Sequence, residues 1–360
     1  MTTVAHSTGA SPMVTAGDEE AAILAAARDD DAAAFTAVAE RYRAQLQVHC
    51  YRMVGSLEDA EDLVQETFLR AWRARTRFEG RSLFRTWLYR IATNACLNAL
   101  GRQPRRLLPT QVAPPSTSPG QPLPPASDQP WLQPCPDELL DRATDASTGP
   151  EAAVMARATI ELAFLAVIQL LPPRQRAVLI VRGILGWSAA ETAALLDTTV
   201  AAVNSSLQRA RATLREHLPT RPGLWVHAAL TDEETALVRR LADAYERGDA
   251  AAWTVLLHTD VRLSMPPLPT WYLGRGTVVA FLRDRFADTE SPFYAGPPRM
   301  VPTRANRQPA LAFYAREAGT TQYRPLSLSV FRVEEHLITD IVSFLYNRHL
   351  FELFGLPEAL

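Results

Sequence analysis

The side chains whose types and spacing suggest chemistry lie between residues 55 and 106, and that chemistry is binding. Six acidic or amide residues recur at helical spacing near the start of this stretch: Glu58, Asp59, Glu61, Asp62, Gln65 and Glu66. Like charges on one helix face repel one another, so this face is expected to meet a basic partner. Apolar residues from Ala60 to Trp72 recur at the spacing of one buried helical stripe on the other side.

Arginine dominates the residues that follow. Ten arginines and a single acid, Glu79, lie between Arg70 and Arg106, which gives this segment a charge of +9. Such a density favours phosphate binding through counterion release. Four aromatic residues are interleaved with the arginines: Phe78, Phe84, Trp87 and Tyr89. Aromatic rings among cations suit unstacked bases better than a closed duplex, and the alternative is a solvated basic face over a core.

The words DAEDLVQETFLRAW and FEGRSLFRTWLYRIATNACLNAL resemble conserved region 2 of the sigma-70 family, in its extracytoplasmic-function group. In that family the acidic helix docks on core RNA polymerase, the next loop captures a flipped promoter base, and the next helix reads the minus-ten element. The resemblance implies polymerase contacts by Asp59, Asp62, Gln65 and Glu66. It implies minus-ten DNA contacts by Phe78, Arg81, Ser82, Phe84, Arg85, Tyr89, Arg90, Thr93, Asn94 and Asn98.

A change in composition marks the end of this unit. We expect a disordered tail at 1–17 and a helical domain at 18–106, with three or four helices. Twelve prolines lie between Gln103 and Pro150, which predicts an extended linker, assigned to 107–150. Trp131 in this linker either anchors in the polymerase cleft, as the family resemblance implies, or packs on a neighbouring domain.

A helix-turn-helix pattern fills the predicted domain at 151–218. A long buried helix is expected from Glu151 to Leu171, and Ser188 and Glu191 predict a capping box at a later helix. The last helix should bury an apolar stripe from Val200 to Leu214 and expose polar residues toward a major groove. LPPRQR and LQRARATL resemble sigma region 4, which reads the minus-thirty-five element. The implied DNA contacts are Thr199, Ala201, Asn204, Ser205, Gln208, Arg209 and Arg211.

Base preference does not follow from this resemblance. Asn204, Ser205 and Ser206 stand where sigma factors often carry Lys or Arg.

The residues from 231 to 360 predict an α+β unit. Helices come first, followed by strands at 261–265, 299–306, 310–316, 326–333 and 338–346. This order resembles the SnoaL-like, NTF2-like cone, whose curved sheet encloses a pocket. The expected pocket residues are Met265, Trp271, Tyr272, Tyr314, Phe331, Phe344 and Tyr346. The apolar tail at 350–360 either closes the cone or lies against another domain.

The cone has polar residues that an enzyme of this fold could use. These are His258, Asp260, Arg304, His336 and Asp340. They fall at strand edges or turns, without a spacing that pairs an acid with a base, so a regulatory or ligand-sensing cone is favoured over a catalytic one. A small apolar ligand is a possible occupant, and no cofactor is expected.

The composition bears on the cellular compartment and on metal or membrane binding. The net charge is −2, every one of the 37 basic residues is arginine, and Cys50, Cys96 and Cys135 form no zinc pattern. No apolar run approaches a membrane span, so we expect a cytoplasmic protein without metal or membrane partners.

The whole chain therefore resembles sigma-G-like factors that carry a C-terminal extension. The predicted fold is multidomain, with two all-α sigma domains and an α+β NTF2-like cone that acts on them in cis. Its partners would be core RNA polymerase and promoter DNA. Two other readings stay open: a helix-turn-helix regulator that never enters polymerase, and an enzyme whose cone is the active part.

Overall fold

The computed structural model describes residue 25 and residues 30–78, 83–143, 159–218, 232–287 and 296–360. The tail predicted at 1–17 lies outside these residues. From residue 30 onward, the described part of the first unit contains four helices: α1 (Ala32–Glu40), α2 (Arg43–Val54), α3 (Leu57–Arg73) and α4 (Phe84–Leu100). Ser56 caps α3 by accepting a hydrogen bond from the Asp59 amide. Gly55 ends α2 at φ +78°, where a Cβ would lie 2.9 Å from the Leu132 side chain.

The second helical unit is described from residue 159 onward, so residues 151–158 of its predicted first helix lie outside the described part of the chain. Its helices are α6 (Leu162–Leu170), α7 (Pro173–Val178, continuing as a π-helix to Ile184), α8 (Ala189–Leu195) and α9 (Val200–His217), preceded in the linker by α5 (Asp137–Arg142). The predicted helix at 151–171 is helical only from Leu162 within the described residues. The capping box is confirmed, because Ser188 and Glu191 exchange hydrogen bonds of 3.1 and 2.7 Å. Val200, expected to be buried, is 45% exposed.

The third unit is α+β, as predicted. Its elements are α10 (Asp232–Arg247), α11 (Ala250–Leu256), β1 (Leu257–Ser264), β2 (Trp271–Leu273), α12 (Arg275–Ala287), β3 (Arg299–Ala305), β4 (Gln308–Arg316), β5 (Tyr323–Glu334), β6 (Leu337–Leu345) and α13 (Arg348–Leu353). The strand order is β2-β1-β6-β5-β4-β3, with β1 and β6 parallel and the other pairs antiparallel. The short strand β2 and helix α13 were not predicted.

Both faces of this sheet are buried, and alternate residues of β4 show how. Leu311 and Phe313 face the core shared with α10, α11 and α12, which we call the inner face. Ala312 and Tyr314 face the other way and belong to one hydrophobic core with both helical units, which we call the outer face. A strand with two covered faces is apolar throughout, which explains the unbroken run of β4.

The tail at 350–360 lies on this outer face. The Phe351 ring packs edge-on against Tyr314, with 5.3 Å between centroids, and the Tyr314 hydroxyl donates to the Pro357 carbonyl. His349 of α13 lies 3.8 Å from Glu58 of α3. The tail therefore covers its own sheet and also reaches the first helical unit.

The proline-rich linker is packed along both neighbours. Arg106 pairs with Asp59 at 2.6 Å, and the Tyr51 hydroxyl donates to the Gln133 carbonyl at 2.7 Å. Further along, the Trp271 indole of the cone donates to the Ala113 carbonyl at 2.7 Å. Trp131 is only 8% exposed. In this structure Trp131 forms an isolated β-bridge with Leu107 of the same linker, which tests neither of the two readings.

A single buried asparagine joins all these parts. Asn306, in the turn between β3 and β4, is fully buried and has φ +57°. Its side-chain oxygen accepts from the Cys135 amide of the linker at 2.8 Å. Its side-chain nitrogen donates to the Tyr51 hydroxyl at 2.9 Å and to the Ile160 carbonyl at 2.8 Å. One side chain therefore connects the cone to the first helical unit, the linker and the residues that lead into α6.

Replacing Asn306 with glycine should loosen this junction without straining the turn. Glycine accepts the positive φ, but three hydrogen bonds worth about 1 kcal/mol each are lost. Burial raises the pKa of the nearby Cys135 thiol, which keeps it protonated and unreactive. We expect thiol-specific labelling of Cys135 under native conditions to accelerate about tenfold or more in Asn306→Gly.

The control is His336→Gly in the β5–β6 turn. That exposed residue also has a positive φ, at +66°, and its side chain makes only an exposed contact with Glu233, so the variant tests the backbone effect without a loss of buried hydrogen bonds. Labelling of Cys135 that is equally slow in wild type and both variants would contradict the role of Asn306.

The junction between the cone and α6 contains a second sensitive group. Burial raises the pKa of Glu161 to about 7, and Arg332 only partly offsets this. A carboxyl group with a raised pKa binds its proton more tightly in the folded state. The folded state is therefore favoured most below the unfolded pKa near 4.5, and this stabilisation is lost as the pH rises to 7.

Glu161→Gln should remove this pH dependence. The difference in unfolding free energy between variant and wild type should be near zero at pH 4.5. It should grow in favour of the variant by up to about 3 kcal/mol at pH 8. Thermal unfolding at several pH values measures the difference, and parallel curves for the two proteins would refute it.

Candidate polymerase and nucleic-acid interfaces

Half of the predicted acidic surface on α3 is open to solvent. Asp62 and Gln65 are exposed. Asp59 is engaged by Arg106 of the linker, and Glu66 pairs with Arg70 one turn later at 2.7 Å. A basic partner can therefore reach Asp62 directly but must compete with Arg106 for Asp59.

Helix α4 presents one polar stripe outward. Arg90, Asn94 and Asn98 are exposed and recur every four residues, so they lie along one face. One cation and two amides in a row can contact both phosphates and base edges. Arg85 is partly exposed and lies over the Tyr89 ring, 5.5 Å from its centroid. Arg81 and Ser82 lie outside the described residues.

The predicted exposure of four other residues on or near α4 is wrong. Phe78 and Phe84 pack against each other inside the first unit, with 5.6 Å between ring centroids. Tyr89 and Thr93 are also buried. The Tyr89 ring lies 5.5 Å from the Trp187 ring of the second helical unit. In this arrangement Trp187 of the second unit covers Tyr89, while the first unit itself encloses Phe78, Phe84 and Thr93.

Two residues that the sequence did not single out hold this covered surface together. His49 lies 2.9 Å from the Thr93 hydroxyl, and burial lowers the pKa of His49 to about 3, so the ring is neutral. Arg176 of α7 is fully enclosed and donates to the Met53 carbonyl at the end of α2 and to Gln169. The LLPPRQRAVLI segment has two arginines, Arg174 and Arg176, and their position among apolar residues was the available signal for Arg176.

Helix α9 is exposed along the face that is predicted to contact DNA. Thr199 caps α9 by accepting from the Ala202 amide at 3.2 Å. All seven predicted contacts are exposed: Thr199, Ala201, Asn204, Ser205, Gln208, Arg209 and Arg211. The buried side holds Val203, Leu207 and Ala210. Amides near the start of the helix and arginines further along suit base edges and phosphates respectively.

The cone encloses a cavity of about 680 Å³. Of the expected pocket residues, Met265 and Tyr346 line it. The other five do not: Trp271, Tyr272, Tyr314, Phe331 and Phe344. Tyr314 and Phe344 lie on the outer face because successive strand residues alternate between faces. Tyr272 stacks on Phe281 beside the cavity, and Phe331 lies within the inner core.

The polar residues proposed for an enzyme do not converge. Asp340 pairs with Arg262 at 2.6 Å, Arg304 with Asp137 at 3.0 Å, and His336 with Glu233 at 3.2 Å. None of them lines the 680 Å³ cavity, and neither does His258 or Asp260. Three serines line it instead: Ser327, Ser329 and Ser343. Serine is neither typical of a pocket wall nor rare in strands, so the sequence did not mark these three serines as pocket residues.

Within the described ranges, no three His, Cys, Asp or Glu residues are grouped closely enough to hold a metal ion. Over the same ranges, no helix has the length and apolar character needed to cross a bilayer.

Comparison with known proteins places these surfaces in a family context. A model of sigma-70 region 2 matches residues 38–106, and a model of sigma-70 region 4 matches residues 161–214. The chain is 42% identical over 327 residues to the ECF RNA polymerase sigma factor SigG of Mycobacterium tuberculosis, covering 91% of this chain and 85% of SigG.

Two further relatives differ in how much of the chain they cover. The ECF RNA polymerase sigma-E factor of Escherichia coli is 33% identical over 178 residues, which is 49% of this chain and 83% of that protein. The crystal structure of the extracytoplasmic function sigma factor SigJ of M. tuberculosis shares the fold over 90% of this chain and 99% of that chain. Its TM-score is 0.56 and its identity 21%.

The geometry of α9 predicts two different responses to substitution. Arg209→Ala should weaken binding to all duplexes alike and reduce the salt dependence by about one ion. Gln208→Ala should change base preference by about 1–3 kcal/mol at one position. Arg240→Ala, an exposed arginine on α10, is the matched control for charge. Binding to a library of duplexes at two salt concentrations separates these effects, and identical sequence profiles for wild type and Gln208→Ala would contradict the assignment.

Proposed function

The chain belongs to the extracytoplasmic-function sigma factors of the sigma-70 family, and from this premise we propose a function for each of its domains. As a sigma factor it binds core RNA polymerase and directs promoter recognition in the cytoplasm. The domain at 18–106 docks through α3 and takes the melted minus-ten strand on α4. The domain at 151–218 reads the minus-thirty-five duplex through α9. The NTF2-like domain at 231–360 controls both in cis.

The exposed part of the acidic face supports the docking assignment. Asp62 and Gln65 are open to solvent, while Asp59 and Glu66 hold intramolecular partners. The first contact with polymerase therefore uses Asp62 and Gln65, and Asp59 joins once Arg106 has moved. The same movement releases the start of the linker at 107–150.

One observation carries the regulatory proposal: the outer face of the cone sheet and both helical units share a single hydrophobic core. In this arrangement Tyr89 and Thr93 on α4 are covered and Asp59 is occupied. A domain tethered in the same chain acts at an effective concentration of order mM, so even a weak contact holds this state. Release of the cone would remove its share of the core that holds the second helical unit over Tyr89, and it would free the linker.

A second candidate function is an independent small-molecule role for the cone. The 680 Å³ cavity favours ligand binding, whereas the scattered ion pairs of Asp340, Arg304 and His336 give no support for catalysis.

Reversing the charge of Asp62 tests the docking surface. Asp62→Arg should weaken the complex with core RNA polymerase by about tenfold or more, because an exposed carboxylate facing a basic partner becomes a repelling cation. Unfolding should change little at such an exposed site. Asp243→Arg, exposed on α10, makes the same charge change elsewhere. Equal polymerase affinity for both variants and wild type would exclude this docking face.

Removing Arg106 tests whether Asp59 takes part. Arg106→Ala frees the Asp59 carboxylate, so affinity for core polymerase should rise several-fold. The neighbouring Arg105 is exposed, and Arg105→Ala should leave affinity near the wild-type value. Titration of fluorescently labelled protein with core enzyme measures both, and a weaker complex for Arg106→Ala would show instead that Arg106 itself contacts polymerase.

A further inference from the structure

The cavity of the cone has a mostly apolar wall. It lies between the inner face of the sheet and helices α10 and α12. Its apolar lining includes Leu263, Met265, Phe281, Leu282, Phe313 and Leu326. A volume of about 680 Å³ falls within the range of roughly 300–1,000 Å³ that is typical of small-molecule sites. Phe281 and Phe313 supply flat surfaces against which a ring or a long chain can pack.

Hydroxyl groups on the sheet side form a polar spot within this wall. The Ser329 and Ser343 hydroxyls lie 2.7 Å apart in a hydrogen bond, and these residues are 1% and 9% exposed. Two hydroxyls that share one hydrogen bond still have one O–H and several lone pairs to offer. Ser327, on the same face of β5, also lines the cavity. The spot can therefore donate to or accept from one oxygen of a bound molecule.

Tyr245 of α10 provides a second polar group. Its ring lines the cavity, and the residue is 4% exposed. Burial raises the pKa of this hydroxyl, so it remains a donor at neutral pH. The hydroxyl can therefore donate a hydrogen bond to an oxygen of a molecule in the cavity.

Charge is confined to one side of the cavity. Asp284 and Arg285 are the ionisable acid and base that line it, and both lie at the end of α12. Asp284 is next to the linker, since a Cβ at Gly120 would lie 2.8 Å from its carboxylate. The serine side of the cavity offers no counter-charge, and burying an unpaired charge there would be costly. A neutral molecule is therefore the favoured occupant.

The linker forms part of the wall. Gly120, Pro122 and Leu123 line the cavity. On one side of them the Ser116 amide donates to the Trp271 carbonyl at 2.8 Å, and on the other the Ser127 amide donates to the Pro267 carbonyl at 3.0 Å. The segment from 113 to 127 is thus fixed to the cone at both ends and crosses the cavity between them.

We propose that the cone binds a neutral, largely apolar small molecule with a hydroxyl or carbonyl oxygen at the Ser329–Ser343 pair, and that linker residues 113–127 close over it. The same linker carries Gln133 and follows directly after Arg106, and both residues contact the first helical unit. Occupancy of the cavity is therefore coupled to the position of the linker. The effect of that coupling on polymerase rests on the proposed function, whereas binding of the molecule does not.

The binding site is tested with prodan, a neutral naphthalene ketone whose emission shifts to the blue in apolar surroundings. The full chain should bind it saturably at one site. The double variant Ser329→Ala, Ser343→Ala should raise the Kd by about fivefold or more, because the ketone loses its hydrogen bond. Removing both partners of a buried pair costs little stability, and circular dichroism checks the fold. Ser205→Ala on α9 is the control.

No saturable binding, or an equal Kd for wild type and the double variant, would overturn the site. Because this experiment contains no polymerase, its failure would leave the sigma-factor function untouched.

The closing linker is tested by two glycine variants. Gly120→Val places its Cβ 2.8 Å from the Asp284 carboxylate, whereas a Cβ at Gly276 meets nothing within 4 Å. Stopped-flow release of prodan should be several-fold faster in Gly120→Val and unchanged in Gly276→Val. Equal release rates in wild type and both variants would show that the linker does not close the cavity.

Discussion

The apolar outer face of the cone sheet is the constraint on which the arrangement of this sigma factor depends. Ala312, Tyr314, Val330 and Phe344 on this face belong to the same core as the helical units. Exposing this apolar face to water would lose the free energy of apolar burial, about 25 cal/mol per Å². The cone must therefore stay docked on the sigma domains or find another surface to cover this face.

The polar groups within this shared core make the docking specific at the expense of strength. Arg176 is buried, and its hydrogen bonds within the described residues go to carbonyl and amide oxygens. Burial accordingly lowers the pKa of Arg176 to about 9. Glu161 bears a similar cost at the cone. A buried charge without an opposite charge beside it destabilises the arrangement that buries it. A competing partner can therefore separate the cone and the two helical units.

The sequence predicted the helices and strands better than it predicted which of their residues are accessible to a partner. The stripe from Ala60 to Trp72 had one apolar and one acidic face, so α3 and its exposed side followed directly. On α4 two stripes carry polar residues, one from Arg85 to Thr93 and one from Arg90 to Asn98. The helical period alone could not show that the second helical unit covers Tyr89 in the first stripe. In the cone, the pocket was predicted from aromatic residues. Successive residues of a strand point to opposite faces of the sheet, and Tyr314 and Phe344 lie on the outer face, away from the cavity. The linker was recognisable from its prolines, but its contacts depend on partner atoms such as the Trp271 indole that are distant in sequence.

Run-off transcription with core RNA polymerase most directly tests the central claim that docking through Asn306 restrains the sigma domains. Wild type, Asn306→Gly and His336→Gly would be compared at equal concentrations of folded protein. Because the docked state covers Tyr89 and occupies Asp59, Asn306→Gly should give several-fold more transcript than wild type, and His336→Gly should match wild type. Equal transcript from all three proteins would contradict the claim.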